Sequence, residues 1–150
     1  MKKLNFHPYK FKFKNIENKP YIFDQLRKKY LLLTPEEWVR QHVVNFLIFE
    51  KKYPVISIAI EKAFVVNHLS RRADLVVYNK LGGVEVVVEC KSSSVAINQQ
   101  TFDQIARYNL HFKAKYLMVT NGLLHIFCKI DENKGGYVFL EELPEYTKTK

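Results

Sequence analysis

Two carboxylates and a lysine sit inside segments that otherwise read as buried strands. The run Arg72-Ala73-Asp74-Leu75-Val76-Val77-Tyr78 is followed by Gly82-Gly83, and then by Val84-Glu85-Val86-Val87-Val88-Glu89-Cys90-Lys91. A charge in such a setting is costly unless something pairs with it. If the two runs form a hairpin centred between Leu81 and Gly82, as a two-residue or a symmetric four-residue loop would give, Asp74 lies directly opposite Glu89. Directly opposed residues bring their Cβ atoms to about 4.5–5.5 Å, where like charges repel. A divalent cation between them reverses that sign. Side chains alternate along a strand, so Glu89 and Lys91 share a face and Cys90 points to the other. Asp, Glu and Lys on one face are the minimum equipment of a magnesium-dependent phosphodiester hydrolase. The acids supply oxygen ligands for a hard cation, and the lysine orients or deprotonates water and offsets phosphate charge.

Each of these residues has a plainer reading. Asp74 follows Arg71-Arg72 and could make a salt bridge at a strand start, and a Glu-x-Lys triplet alone is a weak signal. Opposed to a strand aspartate, after an unbroken valine run, the triplet gains weight. Glu37 stands three residues after Thr34, so a capping box explains it as well as a position near the metal does. Gln100, Gln104 and Tyr108 recur at four-residue spacing and share a helix face; a solvated stripe is the plain account, and positioning of phosphate or of the lysine is the functional one.

The elements that must hold these residues are well signalled. Thr34-Pro35-Glu36-Glu37 opens a helix that should run to about Lys51, with Pro54 marking its end. Strands are expected at about 57–67, 72–79, 84–91, 115–121 and 123–130, with a short one near 137–140, and a second helix at about 98–111 capped by Asn98. Residues 75–78 and 84–88 are apolar on both faces, which predicts central strands covered on both sides. Asn121-Gly122 between two apolar runs predicts a hairpin. The sum is a mixed α/β sheet with helices on its faces.

Composition bounds the rest. The 150 residues are 47% hydrophobic and 14% aromatic, enough for one domain with a real core. Residues 1–30 carry nine lysines and arginines against Glu17 and Asp24, so seven of the nine net positive charges lie there. They read as a basic extension packed on a core of about 31–130, with 131–150 a C-terminal strand and tail. Within the extension, Tyr9-Lys10-Phe11-Lys12-Phe13-Lys14 alternates aromatic with lysine, as in a strand with one apolar and one cationic face. Lys10, Lys12 and Lys14 are then either a phosphate-facing strip or the guard of an edge strand. Cys90 and Cys128 lack metal-ligand spacing and read as small core residues. His42, His68, His111 and His125 are scattered singly. No Gly-x-Ser-x-Gly elbow and no P-loop signature is present. Without a long apolar run or a signal-peptide core, a cytoplasmic protein with no membrane role is expected.

Asp74, then Glu89-Cys90-Lys91, then Gln104-Ile105-Ala106-Arg107-Tyr108, preceded by a helix carrying Glu37, resemble the PD-(D/E)XK nuclease superfamily. More narrowly, Leu33 to Gln41 with Arg72-Ala73-Asp74-Leu75 and Glu89-Cys90-Lys91 resembles the N-terminal nuclease domain of type I restriction enzyme R subunits in a stand-alone form. The resemblance covers roughly residues 20–130, and Arg72-Ala73 stands where the superfamily has a proline near its first aspartate. It implies a restriction-endonuclease-like α-β-β-β-α-β core and metal-dependent hydrolysis of DNA, endonucleolytic before exonucleolytic. It further implies that Asp74, Glu89 and the Cys90 carbonyl hold Mg²⁺, for which Mn²⁺ can substitute, that Lys91 acts on water, and that Glu37 and Gln104 assist. Arg72 and Tyr108 join the lysine strip as nucleic-acid contacts. A separate motor or methylase subunit and a homodimer are the protein partners this reading leaves open. These residues hold no ATP-driven motor, so translocation-coupled restriction is not expected from them alone. The alternative is a non-catalytic nucleic-acid-binding or recruitment module that keeps the fold.

Overall fold

A computed structural model of the chain describes residues 1–66, 69–131, 133 and 136–147, with the backbone alone for 61–66 and 69–71; His68 lies outside the described residues. The first helix starts as its residue types require. Thr34 Oγ1 accepts the Glu37 amide at 3.0 Å, Pro35 occupies the first turn, where no amide donor is needed, and α1 spans Pro35–Asn45. One wide π turn, Phe46–Glu50, carries the chain on to Lys51, whose amide closes it on the Phe46 carbonyl at 3.1 Å.

Six strands follow, β4 (Ile58–Val66), β5 (Leu69–Tyr78), β6 (Val84–Cys90), β7 (Tyr116–Thr120), β8 (His125–Asp131) and β9 (Gly136–Leu140). They form one sheet in that order. All neighbours are antiparallel except β6 and β7, which run parallel. A parallel pair needs a crossover, and α2 (Gln99–Asn109) supplies it, its first turn capped by Asn98. The valine-rich strands are covered twice, as both-sided apolarity requires. Leu75, Val77, Val86 and Val88 pack with Val39, Val43 and Leu47 of α1, and Val76 and Val87 pack with Phe102, Ile105 and Ala106 of α2.

Leu75 pairs with Val88, Val76 with Val87 and Val77 with Val86, which is the expected register. The turn that delivers it is not symmetric. Tyr78 pairs with Val84, so five residues, Asn79 to Gly83, make the reversal. Glu85 is the extra residue of a bulge that restores the register. Asn79 Oδ1 accepts the amides of Leu81 and Gly83 at 3.0 and 2.9 Å, and Gly82 takes φ 87°. The Asn121–Gly122 hairpin is present as well, with Asn121 Oδ1 accepting the amides of Leu123 and Leu124 at 2.9 and 2.8 Å.

The N-terminal region is more than an extension. Phe13–Ile16, Lys19–Asp24 and Lys29–Leu32 form a separate three-stranded antiparallel sheet, β1-β2-β3. The strand expected from Tyr9 begins only at Phe13; Lys10 and Lys12 precede it and Lys14 lies within it. Phe11 packs its ring 5.2 Å from Trp38 and 4.8 Å from His42 of α1. Among the described residues no helix is long and apolar enough to cross a membrane.

Candidate functional site

Asp74 stands where the β5–β6 ladder stops. The last backbone pair is Leu75 with Val88, and one step further Asp74 Oδ2 accepts the Cys90 amide at 2.7 Å. A carboxylate thus replaces the backbone acceptor that a continuing strand would offer, satisfying a buried donor. The other oxygen, Oδ1, is 3.3 Å from Nη2 of Arg40, whose side chain is 8% exposed against 16% for Asp74.

Arg40 also holds both acids of its own helix. Its Nη1 lies 2.6 Å from Glu37 Oε1 and its Nη2 3.3 Å from Glu36 Oε1. Burial disfavours the guanidinium's charge, but Glu37 and Asp74 outweigh it and hold the pKa above the usual arginine value. The second Glu37 oxygen accepts from Gln41 Nε2 at 3.0 Å, and Arg27 reaches Glu37 at 3.7 Å while binding Asp24 at 2.8 Å. A chain of alternating charge therefore runs from the small sheet through α1 to β5. Thr34 caps the Glu37 amide, and the Glu37 carboxylate turns inward to Arg40, the guanidinium that touches Asp74.

Glu89 lies beside Val119 in the parallel ladder, and the Lys91 amide donates to the Thr120 carbonyl at 2.8 Å. Burial, and then the charge of Asp74, push the Glu89 carboxyl up to about 8; Lys91 pulls in the opposite direction. The three residues read from the sequence as one constellation are thus electrostatically coupled at the carboxyl ends of β6 and β7, where open α/β sheets place ligands. Burial foremost, and Asp74 next, also push the Cys90 thiol well up, so it stays protonated.

The oxygen donors fit a hard cation. Asp74 and Glu89 supply carboxylates, each with lone pairs beyond those already used, and a divalent ion would offset the burial and the like charge that raise the Glu89 carboxyl. Among the described residues no group of three or more His, Cys, Asp or Glu side chains gathers to hold a metal, so the Cys90 carbonyl and water would complete the set.

Other residues singled out in the sequence lie further out. Gln104 is exposed on α2 and, among the described residues, makes no hydrogen bond to Asp74, Glu89 or Lys91. Tyr108, on the same helix, is 47% exposed, and Arg72 is exposed on β5. Lys10, Lys12 and Lys14 are exposed, with Lys12 over the Phe23 ring at 5.7 Å and Lys14 over Tyr30 at 5.4 Å. His42 is buried and His125 half-buried; burial lowers the pKa of both. Arg40 was not anticipated, although its spacing of three and four residues from Glu37 and Glu36 is the signal for a same-face ion pair.

The model for the type I restriction enzyme R protein N terminus (HSDR_N) matches residues 35–144. Among solved structures, the chain is similar to a fragment described as an HsdR subunit of a type I restriction enzyme from Vibrio vulnificus YJ016, with a TM-score of 0.54 and 20% identity. The similarity covers 75% of this chain and 24% of that one, so the chain spans about a quarter of that fragment's length. At that identity it speaks for the fold alone. No curated protein matches the chain. The family model takes in both helices, the whole six-stranded sheet and the carboxylates at its end, and the chain belongs to the family of type I restriction enzyme R protein N termini.

Proposed function

We propose that this chain is a Mg²⁺-dependent deoxyribonuclease of the PD-(D/E)XK kind, with a restriction-endonuclease-like core, hydrolysing DNA phosphodiester bonds. The observation that carries the reading is the coupled pair of Asp74 and Glu89 at the end of the β5–β6 ladder, with the Glu89 carboxyl raised to about 8. Two acids held together at such a cost are what a cation site requires, and a scaffold alone gains nothing from them. Asp74, Glu89 and the Cys90 carbonyl would hold Mg²⁺ or Mn²⁺. When bound, the ion supplies Lewis-acid polarisation of the phosphoryl oxygen and makes water more acidic. Lys91 orients that water and offsets phosphate charge. Arg40, fixed by Glu37, holds the Asp74 carboxylate in place; Gln104 assists from α2 once DNA lies along the sheet end. Lys10, Lys12, Lys14, Arg72 and Tyr108 receive the DNA backbone. A motor, a methylase or a second copy of the chain are the protein partners of this proposal.

The test is cleavage of plasmid and linear DNA by the chain and by Lys91→Ala and Glu89→Gln, in Mg²⁺ and in chelator, with circular dichroism to verify folding. Loss of at least about 100-fold in both variants is expected, the scale of removing a positioned catalytic group. Activity equal to the parent's in folded variants overturns the reading. The second reading, a binding or recruitment module that keeps the fold without cutting, is favoured by one observation: both Asp74 oxygens are already engaged by protein donors. It predicts DNA binding that neither chelator nor Glu89→Gln alters.

A further inference from the structure

A cavity lies between the segment before β1, the small sheet and α1. Its volume is about 240 Å³, below the roughly 300–1,000 Å³ that takes drug-sized ligands and suited to one ring-sized group. Phe11 and Phe23 form apolar walls, and Lys10 and Lys12 stand at its rim. Its floor is polar: Gln41 and Asn45 from α1, 1% and 6% exposed, with Gln25 facing them.

The orientation of these three carboxamides follows from their partners. Glu37 offers only an acceptor, so Gln41 must turn Nε2 toward it, at 3.0 Å. The Gln41 backbone carbonyl takes Asn45 Nδ2 at 3.0 Å, which leaves Asn45 Oδ1 to accept Gln25 Nε2 at 3.1 Å. The two oxygens left over, Gln41 Oε1 and Gln25 Oε1, accept no hydrogen bond among the described residues, and both residues line the cavity. Gln41 is buried and Gln25 half-buried, so a donor entering the cavity can reach both oxygens. The lining complements a flat group carrying N–H donors, with a negative charge next to it for the lysines.

We propose that this cavity binds a single unstacked nucleotide, its base between Phe11 and Phe23, its exocyclic amine on Gln25 and Gln41, and its phosphate on Lys10 and Lys12. Stacking on aromatic walls together with a cationic rim is how proteins hold single-stranded nucleic acid. The two acceptors add selectivity that stacking lacks. Adenine, cytosine and guanine bring an amino group, whereas thymine has one N–H flanked by carbonyls that the glutamine oxygens repel. The nucleotide comes either free or within a strand. The inference shares the nucleic-acid partner and the lysines Lys10 and Lys12 with the proposed cleavage, and stands whether or not the Asp74 site cuts.

The test is binding by the full chain, in chelator so that no cleavage intervenes, to dCMP, dAMP, dGMP, TMP, inorganic phosphate and a mixed-sequence oligodeoxynucleotide. Each amino-bearing nucleotide should bind about 2- to 10-fold tighter than TMP, the scale of one net hydrogen bond. Gln25→Met should reduce that preference. Lys12→Ala, at an exposed position, should weaken all of them. Tighter binding of the oligodeoxynucleotide than of any mononucleotide identifies a strand as the ligand; the reverse identifies a free nucleotide, and either supports the site. Equal affinity for phosphate and nucleotides, or an undiminished preference in folded Gln25→Met, overturns it. Such an outcome would leave the cleavage reading untouched, since that rests on Lys91 and Glu89.

Discussion

Arg40 is where charges from α1 and β5 meet, and its removal is the severest single change the site admits. Glu37 and Asp74 would each lose a cation in a mostly buried setting. Breaking a buried pair by removing one partner costs about 3–5 kcal/mol, so Arg40→Ala should lower the urea midpoint strongly. A shift equal to that of Glu36→Ala, whose side chain is half exposed, would count against it. Glu89 makes a pH prediction whose sign follows from its shift. The folded chain holds this proton up to about pH 8, whereas an unfolded glutamate releases it near 4.5. Between those values unfolding releases a proton, so rising pH favours the unfolded chain. Without divalent cation, stability should fall through that window by at most about 1.4 kcal/mol per pH unit. Glu89→Gln should flatten the slope, and parallel slopes for parent and variant would refute the assignment. Asp74, Glu89 and Lys91 were legible because a charge inside a valine run is conspicuous. Arg40 was not, since an arginine beside two glutamates on a helix looks like any solvated face until the sheet buries it.

At the level of elements, the strands and both helices fall within a few residues of the sequence expectation because their apolar periodicity leaves little choice. The β5–β6 register was right for an incomplete reason. A symmetric turn was expected, but an odd turn plus one bulged residue gives the same pairing, because the valine faces must meet their two helices whatever the loop does. The β1–β2 hairpin was missed for local reasons. Its turn is Glu17-Asn18, with φ of 50° and 64°, a left-handed pair without the glycine that normally announces it. Pro20 inside β2 also argues against a central strand. The two turn glycines now make a graded prediction. A Cβ on Gly82 would meet nothing within 4 Å, so Gly82→Ala carries only the left-handed backbone penalty of about 1–2 kcal/mol. A Cβ on Gly122 would come within 2.8 Å of Leu4 and 3.1 Å of Val39. Gly122→Ala should therefore lower the melting temperature further than Gly82→Ala, and the opposite order would show that Leu4 yields freely.

For the whole molecule, the uneven charge sets how it meets a polyanion. With seven of nine net charges in residues 1–30 and Lys10, Lys12 and Lys14 exposed, DNA affinity should fall steeply with salt. Each phosphate neutralised contributes about 0.9 to the logarithmic slope on duplex and about 0.7 on single strands. Replacing the three lysines by alanine should cut the slope by about 2–3, and an unchanged slope would return them to edge protection. The small sheet is also wired to the candidate site through Arg27 and Glu37, so the basic region and the carboxylates are parts of one object. The bond between Asp74 and the Cys90 amide has a use of its own. Because this amide ends on a carboxylate oxygen and not on a carbonyl, its proton resonance and its rate of exchange with solvent register whatever happens to that carboxylate. One backbone signal thus reports cation arrival, Arg40 loss or local fraying, with no substrate and no turnover required.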